Sequence, residues 1–517
     1  MSILTYILGA PLVAALLIAL IPRNYRFVIR IVSVTASLIS LVLGVAMFAA
    51  FVPGGTGFQF AQRVPWVESL GISYYVGVDG INVGLVLLGT IVAFAATAIS
   101  WDIKDRQKEF YLLLMVMIGG ILGAFASLDL FFLYFFHELA LIPTFIMIGV
   151  WGRGENKNYA AYNITLYLTA GALLTLIGLI ALYVASGANT FSIPELTAAL
   201  SARPLSSNLQ QLIFPILLFG FGILVSLWPF HTWAPLGYGA APAATAMLHA
   251  GVLKKFGLYG LIRVALPMLP EGAQSWMQIL AVLCLGNILF SGLVAMQQRN
   301  LNLLIGNSSV AHMGFVFLGI ASLTLIGITG AVVVMIAHGL LAALSFAISG
   351  YLYQQTGTLN LDSYGGFLRR LPFMGTVTIM MVMAGCGLPA FANFVGEAMA
   401  MFGAWKAHPV VTTLAAWGAL VIAAVYMLGL ARSAMHGPMV ELGNNLQDAP
   451  GLWRKLPFAL LVAGLLIFGC VPRLLTDRIA PSAEKIVQLT TGQKSPNLRT
   501  AESSAPAGTR FTVVAQP

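Results

Sequence analysis

The sequence predicts an all-α polytopic membrane protein with about fourteen transmembrane helices, arranged as two inverted five-helix repeats in which helices 7 and 12 are broken. Composition is the first observation: of 517 residues, 59% are hydrophobic and only 8% are charged. This balance excludes a soluble globular enzyme. The second observation is that the apolar runs are about 20 residues long, the length of a membrane-spanning helix rather than of a barrel strand.

Charged, polar, glycine and proline residues separate the apolar runs and define the predicted spans. In chain order the spans lie near residues 3–22, 28–52, 79–101, 110–127, 129–150, 162–186, 210–231, 242–266, 275–297, 302–321, 325–353, 373–402, 409–431 and 456–475. The first run has no basic residues before it, so we expect a retained span and not a cleaved signal peptide.

The basic residues of the loops test this order independently, because cytoplasmic loops of membrane proteins are enriched in Lys and Arg. Fourteen Lys and Arg residues fall in alternate loops, whereas the opposite loops hold only Arg63, Arg203 and Lys406. This distribution predicts an even number of spans with both termini outside the cytoplasm. The net charge of +9 therefore reflects topology, and we expect no nucleic-acid partner.

Two predicted spans are interrupted by helix-breaking residues. Span 7 contains Trp-Pro-Phe-His at 228–231, and span 12 contains Gly-Cys-Gly-Leu-Pro at 385–389. Proline removes a backbone donor and glycine loosens a helix, so both spans should break inside the membrane with freed backbone groups facing a polar interior. Breaks five spans apart are typical of inverted-repeat transporters, although Pro-kinked packing helices would give a similar pattern.

These features divide the chain into five predicted parts. They are a three-span region at 1–101, a first antiporter-like repeat at 110–266 (spans 4–8), a second at 275–436 (spans 9–13), a loop and last span at 437–475, and a tail at 476–517. The tail is polar and rich in Ser, Pro and Thr, so we expect a mobile extracytoplasmic extension.

Ionisable residues interrupt several of the apolar runs, where a charge costs several kcal/mol (about 2.5–3.5 on lenient scales). They are Glu138, His231, His249, Lys254, Lys255, His312, His338 and Glu397. Such residues usually line a water-filled or proton-conducting path. An acid, imidazoles and amines in series are what a proton relay needs, since imidazole titrates near pH 6.5 and passes protons through either nitrogen.

Each of these residues also has a structural interpretation. Glu138 could be a neutral carboxylic acid that satisfies a kinked backbone, and a lone membrane histidine is often a structural donor. Lys254 and Lys255 are neighbours and diverge by about 100° on a helix. We therefore expect Lys255 to face the helix-bundle axis and Lys254 to extend to a membrane interface.

Sequence patterns for other chemistry are missing. The three cysteines (Cys284, Cys386 and Cys470) lie in separate apolar runs, which supports neither a disulfide framework, a zinc site nor an iron–sulfur cluster. The chain has no Walker A motif, and no G-x-G-x-x-G opens a helix after a strand. We therefore expect no cofactor and no metal in this chain, and any redox energy must come from elsewhere.

The motifs around the buried ionisable residues resemble those of the antiporter-like, proton-translocating subunits of respiratory complex I, in particular the subunit M (chain 4) family of NADH–quinone oxidoreductase. The matching stretches lie within residues 75–440: 137–143, 151–152, 229–233, 255–263, 308–314, 338–339 and 394–397. Glu397 at the end of span 12 favours subunit M, because related subunits often have a lysine there.

The resemblance implies a multi-pass protein of the bacterial inner membrane that moves protons outward from the cytoplasm. Glu138, Lys255 and Glu397 match the family's carboxylate, central lysine and exit residue. The resemblance also implies a hetero-oligomer, in which this chain contacts the lipid bilayer and neighbouring L- and N-type antiporter-like subunits. NAD, FMN, iron–sulfur clusters and quinone are expected in partner subunits.

One position departs from the family pattern. The family has a lysine on span 7, five residues before Pro229, and this chain has Leu224 there. Removing one partner of a buried ion pair costs about 3–5 kcal/mol unless the other partner becomes neutral. Either His249 or Lys254 supplies the missing positive charge and pumping survives, or the input half is degenerate and the subunit is modified or mainly structural.

Two other functions fit the same motifs. One is a subunit of an Mrp-type monovalent cation/proton antiporter. The other is a non-conducting scaffold that links neighbouring membrane subunits.

Overall fold

Lipid cannot satisfy backbone amides and carbonyls, so the apolar runs of the chain fold as helices. The computed structural model describes residues 2–55, 57–442 and 446–492. In these ranges, eleven helices are long and apolar enough to cross a membrane, and two shorter apolar helices span Val83–Ile99 and Pro372–Gly385. The all-α membrane class is confirmed, whereas the fourteen crossings and the inverted repeats stay predictions.

The N-terminal region contains the only strands in the part of the chain that the structure describes. Its elements are α1 (Ile3–Leu20), α2 (Arg26–Ala50), β1 (Gln59–Val67), β2 (Ile72–Val78) and α3 (Val83–Ile99). The strands pair antiparallel, with Arg63 opposite Tyr75. The sequence analysis missed this hairpin because it lies in an interspan loop, where hydropathy gives no signal.

The middle of the chain contains the first broken helix. Its elements are α4 (Gln107–Ala126), α5 (Leu130–Trp151), α6 (Lys157–Ser186), α7 (Ile193–Ala202), α8 (Ser207–Val225), α9 (Trp233–Ala240), α10 (Ala243–Gly251), α11 (Phe256–Gly260) and α12 (Leu266–Met268). The predicted break in span 7 is confirmed between α8 and α9. However, α9 occupies residues that we expected to form a loop, and the amphipathic α7 was also missed.

Span 8 is not one continuous helix either. A 3₁₀ turn at Leu253–Lys255 separates α10 from α11, and a π-helical turn at Leu261–Ala265 separates α11 from α12. The predicted bounds of the span, 242–266, therefore agree with the structure, but the prediction of one regular α-helix was wrong.

The second half repeats this alternation of long and broken helices. Its elements are α13 (Pro270–Leu285), α14 (Ser291–Met296), α15 (Leu301–Ala321), α16 (Leu325–Thr356), α17 (Pro372–Gly385), α18 (Ala392–Trp405), α19 (Pro409–Trp417) and α20 (Ala423–Ala434). The break predicted in span 12 is confirmed between α17 and α18. Two π-helical turns, Gly286–Phe290 and Gly418–Ile422, join α13 to α14 and α19 to α20.

The last two helices are α21 (Gly451–Cys470) and α22 (Arg473–Thr491). The prediction of a mobile tail from residue 476 is wrong up to Thr491, because the apolar face of the amphipathic α22 is buried against the bundle. Ser482 on α22 accepts a hydrogen bond from the Gly80 amide at 3.0 Å. The predicted tail beyond residue 492 lies outside the described residues.

Helix α16 is the centre of the bundle. Its most apolar stretch is completely buried, and it packs against α10, α15, α18 and α21. Small residues allow these close contacts: a Cβ on Gly339 would lie 2.6 Å from the Gly251 carbonyl of α10, and one on Gly396 would lie 2.7 Å from the Val334 amide. Glycines of this kind let membrane helices approach closely, which brings the side chains beside them together.

A buried ion pair connects the segment that follows the hairpin to the end of span 8. Arg263 donates through Nη1 to Asp79 Oδ2 at 2.8 Å and through Nη2 to Asp79 Oδ1. Burial alone would raise the pKa of Asp79, but the guanidinium of Arg263 outweighs it and holds that pKa below its usual value. The stabilisation is present above the ordinary carboxyl pKa of about 3.9 and is lost as the pH falls below it.

We expect Asp79→Asn to lower the stability of the chain by about 3–5 kcal/mol, because it leaves the Arg263 charge buried without its partner. The measurement is the apparent melting temperature of the purified membrane protein in detergent at neutral pH. The control is Asp362→Asn, which breaks an exposed pair with Arg299 and should cost less than about 1 kcal/mol. Equal melting temperatures for the two variants would contradict this expectation.

Candidate functional site

The two adjacent lysines lie on the 3₁₀ turn that interrupts span 8. After α10 the backbone leaves helical geometry at Val252 (φ −126°, ψ −62°), and both lysine side chains then turn into the protein. Lys254 is 1% exposed and Lys255 is 0% exposed. The expectation that Lys254 extends to an interface is therefore wrong, because it assumed the angular spacing of a regular helix.

Lys255 begins a chain of four buried polar side chains. Its Nζ lies 2.9 Å from His338 Nδ1 and also donates to the Ala250 carbonyl. The His338 ring is 5.6 Å from the His312 ring, centroid to centroid. His312 Nδ1 is 2.9 Å from Glu397 Oε1. We call Lys255, His338, His312 and Glu397 the central chain; it crosses α16 and α15, the two most buried of the described helices that are long and apolar enough to cross a membrane.

Glu397 lies at the far end of the central chain, beside the second helix break. Its side chain is 6% exposed, and a Cβ on Gly387 would lie 3.0 Å from its Oε2. Gly387 has a φ of +65° in the segment between α17 and α18, so the turn places backbone rather than a side chain near the carboxylate. Asn393, one turn before Glu397, is buried with no hydrogen-bond partner for its amide among the described residues.

Lys254 belongs to a second polar cluster beside the central chain. Its Nζ donates to Ser309 Oγ at 3.3 Å and lies 5.8 Å from the centre of the Tyr238 ring. The Tyr238 hydroxyl is 3.0 Å from His249 Nδ1. We call Tyr238, His249, Lys254 and Ser309 the lateral cluster. Tyr238 and Ser309 were missed as partners because their contacts join residues far apart in the sequence.

Neither lysine has a carboxylate partner within the described ranges. A charged amine is costly at such a position, and lysine exchanges its proton more readily when buried. Metal binding has no comparable support: in the residues that the structure describes, no three His, Cys, Asp or Glu side chains are grouped to hold an ion.

Glu138 lies apart from both groups. Its side chain is 30% exposed on α5, whereas the adjacent His137 is 3% exposed and faces inward. His137 Nδ1 is 3.5 Å from Glu138 Oε1, and the His137 ring stacks on Phe256, just after Lys255, at 4.0 Å. His137 is thus the inward neighbour of Glu138, a position that the sequence alone could not distinguish from packing.

The break in span 7 holds His231 and the residues around Leu224. His231 Nδ1 lies 3.2 Å from the Pro229 carbonyl, and none of its described hydrogen bonds joins it to the central chain. Leu224 is buried against Gly171 of α6, so an apolar contact occupies this position. The structure therefore brings together six of the eight predicted site residues and leaves Glu138 and His231 outside.

Asn287 holds the span 7 break in place. Its Nδ2 donates to the Ser226 carbonyl at 2.8 Å and to the Val310 carbonyl at 3.2 Å, and its Oδ1 accepts from the Trp228 amide at 2.8 Å. Backbone groups freed by a helix break need partners inside the protein. The sequence analysis missed Asn287. The feature that could have indicated it is a polar amide side chain within an otherwise apolar run.

The chain is similar to known membrane proteins over most of its length. Residues 127–425 match the family model described as NADH:quinone oxidoreductase/Mrp antiporter, TM. The chain is 33% identical to NADH-quinone oxidoreductase subunit M of Rhodobacter capsulatus, covering 94% of this chain and 96% of that one. It is also 33% identical to NAD(P)H-quinone oxidoreductase chain 4 of Gloeobacter violaceus, covering 94% and 93%.

Solved structures show the same fold. A chain of respiratory complex I from Thermus thermophilus with bound NADH matches with a TM-score of 0.86 and 27% identity, covering 95% of this chain and 100% of that one. A chain of the Mrp complex from Dietzia matches with a TM-score of 0.81 and 18% identity, covering 95% and 98%. At that identity the second match concerns the fold alone.

We expect Asn287→Ala to destabilise the protein by about 1–3 kcal/mol for each backbone group left unpaired at the span 7 break. The apparent melting temperature in detergent measures this loss. Asn163→Ala is the control, because Asn163 Oδ1 has no hydrogen-bond partner in the described part of the chain and little is lost by removing it. The role of Asn287 would be refuted if both variants melted together with the unmodified protein.

Proposed function

Because the chain belongs to the NADH:quinone oxidoreductase/Mrp antiporter membrane family, we propose that it is the proton-translocating subunit M of a complex I-like NADH–quinone oxidoreductase. It is a membrane-embedded subunit of a larger assembly. In this proposal it binds no redox group; NAD, FMN, iron–sulfur clusters and quinone belong to partner subunits, where the electron transfer takes place.

The central chain is the observation that carries the proposal. It joins an amine, two imidazoles and a carboxylate within an apolar bundle, and two of its three links are 2.9 Å long. Each group can hold and release a proton. A hard monovalent cation would instead need a cage of oxygen ligands, and the lysine end of this chain offers nitrogen. The geometry favours proton transfer over cation/proton exchange.

In this proposal the proton moves along the central chain from Lys255 to Glu397. Protonated Lys255 donates to His338 Nδ1, and the proton leaves the amine when the imidazole takes it. His338 and His312 are ring neighbours, and a small rotation or a bridging water would complete the step between them. His312 then protonates Glu397. The helix break beside Gly387 provides a route for the proton from that carboxyl group to the opposite side of the membrane.

The lateral cluster is the proposed substitute for the lysine missing at Leu224. Lys254 holds a proton near Tyr238 and Ser309, and the Tyr238 hydroxyl links to His249. Glu138 and His137 lie at the outer end, where we propose that a proton passes between the edge of the subunit and the lateral cluster. This arrangement corresponds to the hypothesis that pumping survives the loss of the span 7 lysine.

Energy for transport must come from outside this chain. Moving one charge against 100 mV costs about 2.3 kcal/mol, and no cofactor is proposed here to supply it. We propose a hetero-oligomer with L- and N-type antiporter-like neighbours in a bacterial inner membrane, with both termini extracytoplasmic. The distribution of loop Lys and Arg residues supports this orientation.

We expect Lys255→Met to slow proton translocation by the assembled complex at least about tenfold, equivalent to about 1.4 kcal/mol in the barrier, because it removes the first group of the central chain. Proton uptake by vesicles or proteoliposomes during NADH oxidation measures the effect. Lys406→Met, at an exposed lysine after α18, is the control and should be unchanged. Full assembly with normal coupling in Lys255→Met would favour a non-conducting scaffold.

We expect Glu138→Gln to reduce the number of protons moved per NADH, because the amide cannot exchange a proton with His137. The complex is purified, reconstituted and compared with Glu441→Gln, a control at an exposed residue. An unchanged stoichiometry in Glu138→Gln would mean that the input half is degenerate, while a loss confined to Lys255→Met would leave the central chain as the working part.

A further inference from the structure

A cavity of about 790 Å³ opens among the ends of several helices, away from the central chain. The start of α4, the end of α5, the start of α10, the end of α16 and the start of α21 surround it. Its mouth carries the basic loops that the positive-inside rule assigns to the cytoplasm. No step of the proposed proton transfer uses it.

Positive charge predominates in the lining. The basic side chains are Lys104, Arg106, Arg153 and Arg454, and the acidic ones are Asp105 and Asp448. Asp448 is already engaged, because its carboxylate accepts the Phe373 and Met374 amides at 2.7 and 3.1 Å. It caps α17, and the lining still holds four basic side chains against two acidic ones.

Arg153 is a half-buried basic residue of the cavity lining. Its guanidinium lies 4.3 Å from the centre of the Tyr353 ring, and its backbone amide donates to the Ala240 carbonyl at 2.7 Å. No carboxylate pairs with it among the described residues. Burial lowers the pKa of Arg153, yet a guanidinium stays charged at neutral pH. A half-buried cation without an anion is costly, and a bound anion would remove that cost.

The shape and chemistry of the lining indicate which anion fits. The planar fork of arginine matches phosphate oxygens, and Arg106 lies over the Trp151 ring at 5.7 Å, beside the same cavity. The lining also contains the apolar side chains of Ile99, Phe110 and Phe458, and both phenylalanines are buried. Basic, aromatic and apolar side chains in one cavity suit a molecule with a charged head and a hydrocarbon tail.

We propose that this cavity binds a phosphate group at the membrane surface, supplied by an anionic phospholipid headgroup or by free phosphate. The volume lies within the usual range of small-molecule sites, about 300–1,000 Å³, and exceeds what inorganic phosphate fills. The phospholipid therefore fits the cavity better. Basic pockets between transmembrane helices on the cytoplasmic side bind such headgroups.

The test uses the assembled complex, purified in neutral detergent and freed of loosely held lipid. Phosphatidylglycerol, phosphatidylcholine and inorganic phosphate are added separately, and native mass spectrometry measures the mass retained on this subunit. The variants are Arg153→Gln and Arg106→Gln. The control is Arg370→Gln, an exposed arginine outside the cavity.

We expect one phosphatidylglycerol per subunit in the unmodified protein and in Arg370→Gln, held about tenfold more weakly in Arg153→Gln. Retention of inorganic phosphate with the same variant dependence, and without lipid, would assign the site to free phosphate. The proposal is overturned if neither ligand is retained or if retention is the same in all variants. If Arg153→Gln does not assemble, the retention of phosphatidylglycerol by Arg106→Gln is compared with that of the unmodified protein instead, and equal retention overturns the proposal.

Discussion

Ionisable groups inside an apolar bundle must find partners within the protein, and the rest of this structure depends on that constraint. Lipid offers no hydrogen bonds, so a buried amine, imidazole or carboxyl is stable only beside another polar group. The helix breaks provide room for such groups, and the glycine contacts at Gly251, Gly339 and Gly396 bring their helices close enough to meet. The central chain is therefore a consequence of packing, because small residues stand next to its polar ones.

Much of the fold could be predicted because hydropathy and helix breakers act locally. Apolar length predicts membrane helices, and proline or glycine within them predicts where they end; both broken spans follow from this. The hairpin and α22 could not be predicted in this way. The hairpin lies in a loop between two spans and is too short for a membrane helix, and α22 is stabilised by one apolar face that is covered only after the chain has folded.

The identities of the site residues could be predicted better than their positions relative to one another. Lys255, His338, His312 and Glu397 were singled out because each is expensive in a membrane, and the structure brings them together. Their order depends on contacts across more than 80 positions, which no local pattern contains. Lys254 shows most clearly where a prediction from the sequence fails. On a regular helix its side chain would point away from that of Lys255, but on the 3₁₀ turn both side chains are buried.

The balance of charge explains how this chain could function with Leu224 in place of a lysine. In the family pattern a carboxylate on span 5 faces an amine on span 7, and each fixes the charge of the other. Here Lys254 has a hydroxyl and an aromatic ring as neighbours instead, so no carboxylate holds its proton in place. Lys254 and Lys255 are adjacent and both buried, and two buried amines repel when both are charged. We propose that a proton arriving at Lys254 favours the departure of the proton on Lys255 toward His338, so that repulsion between the two amines replaces the coupling of the missing ion pair.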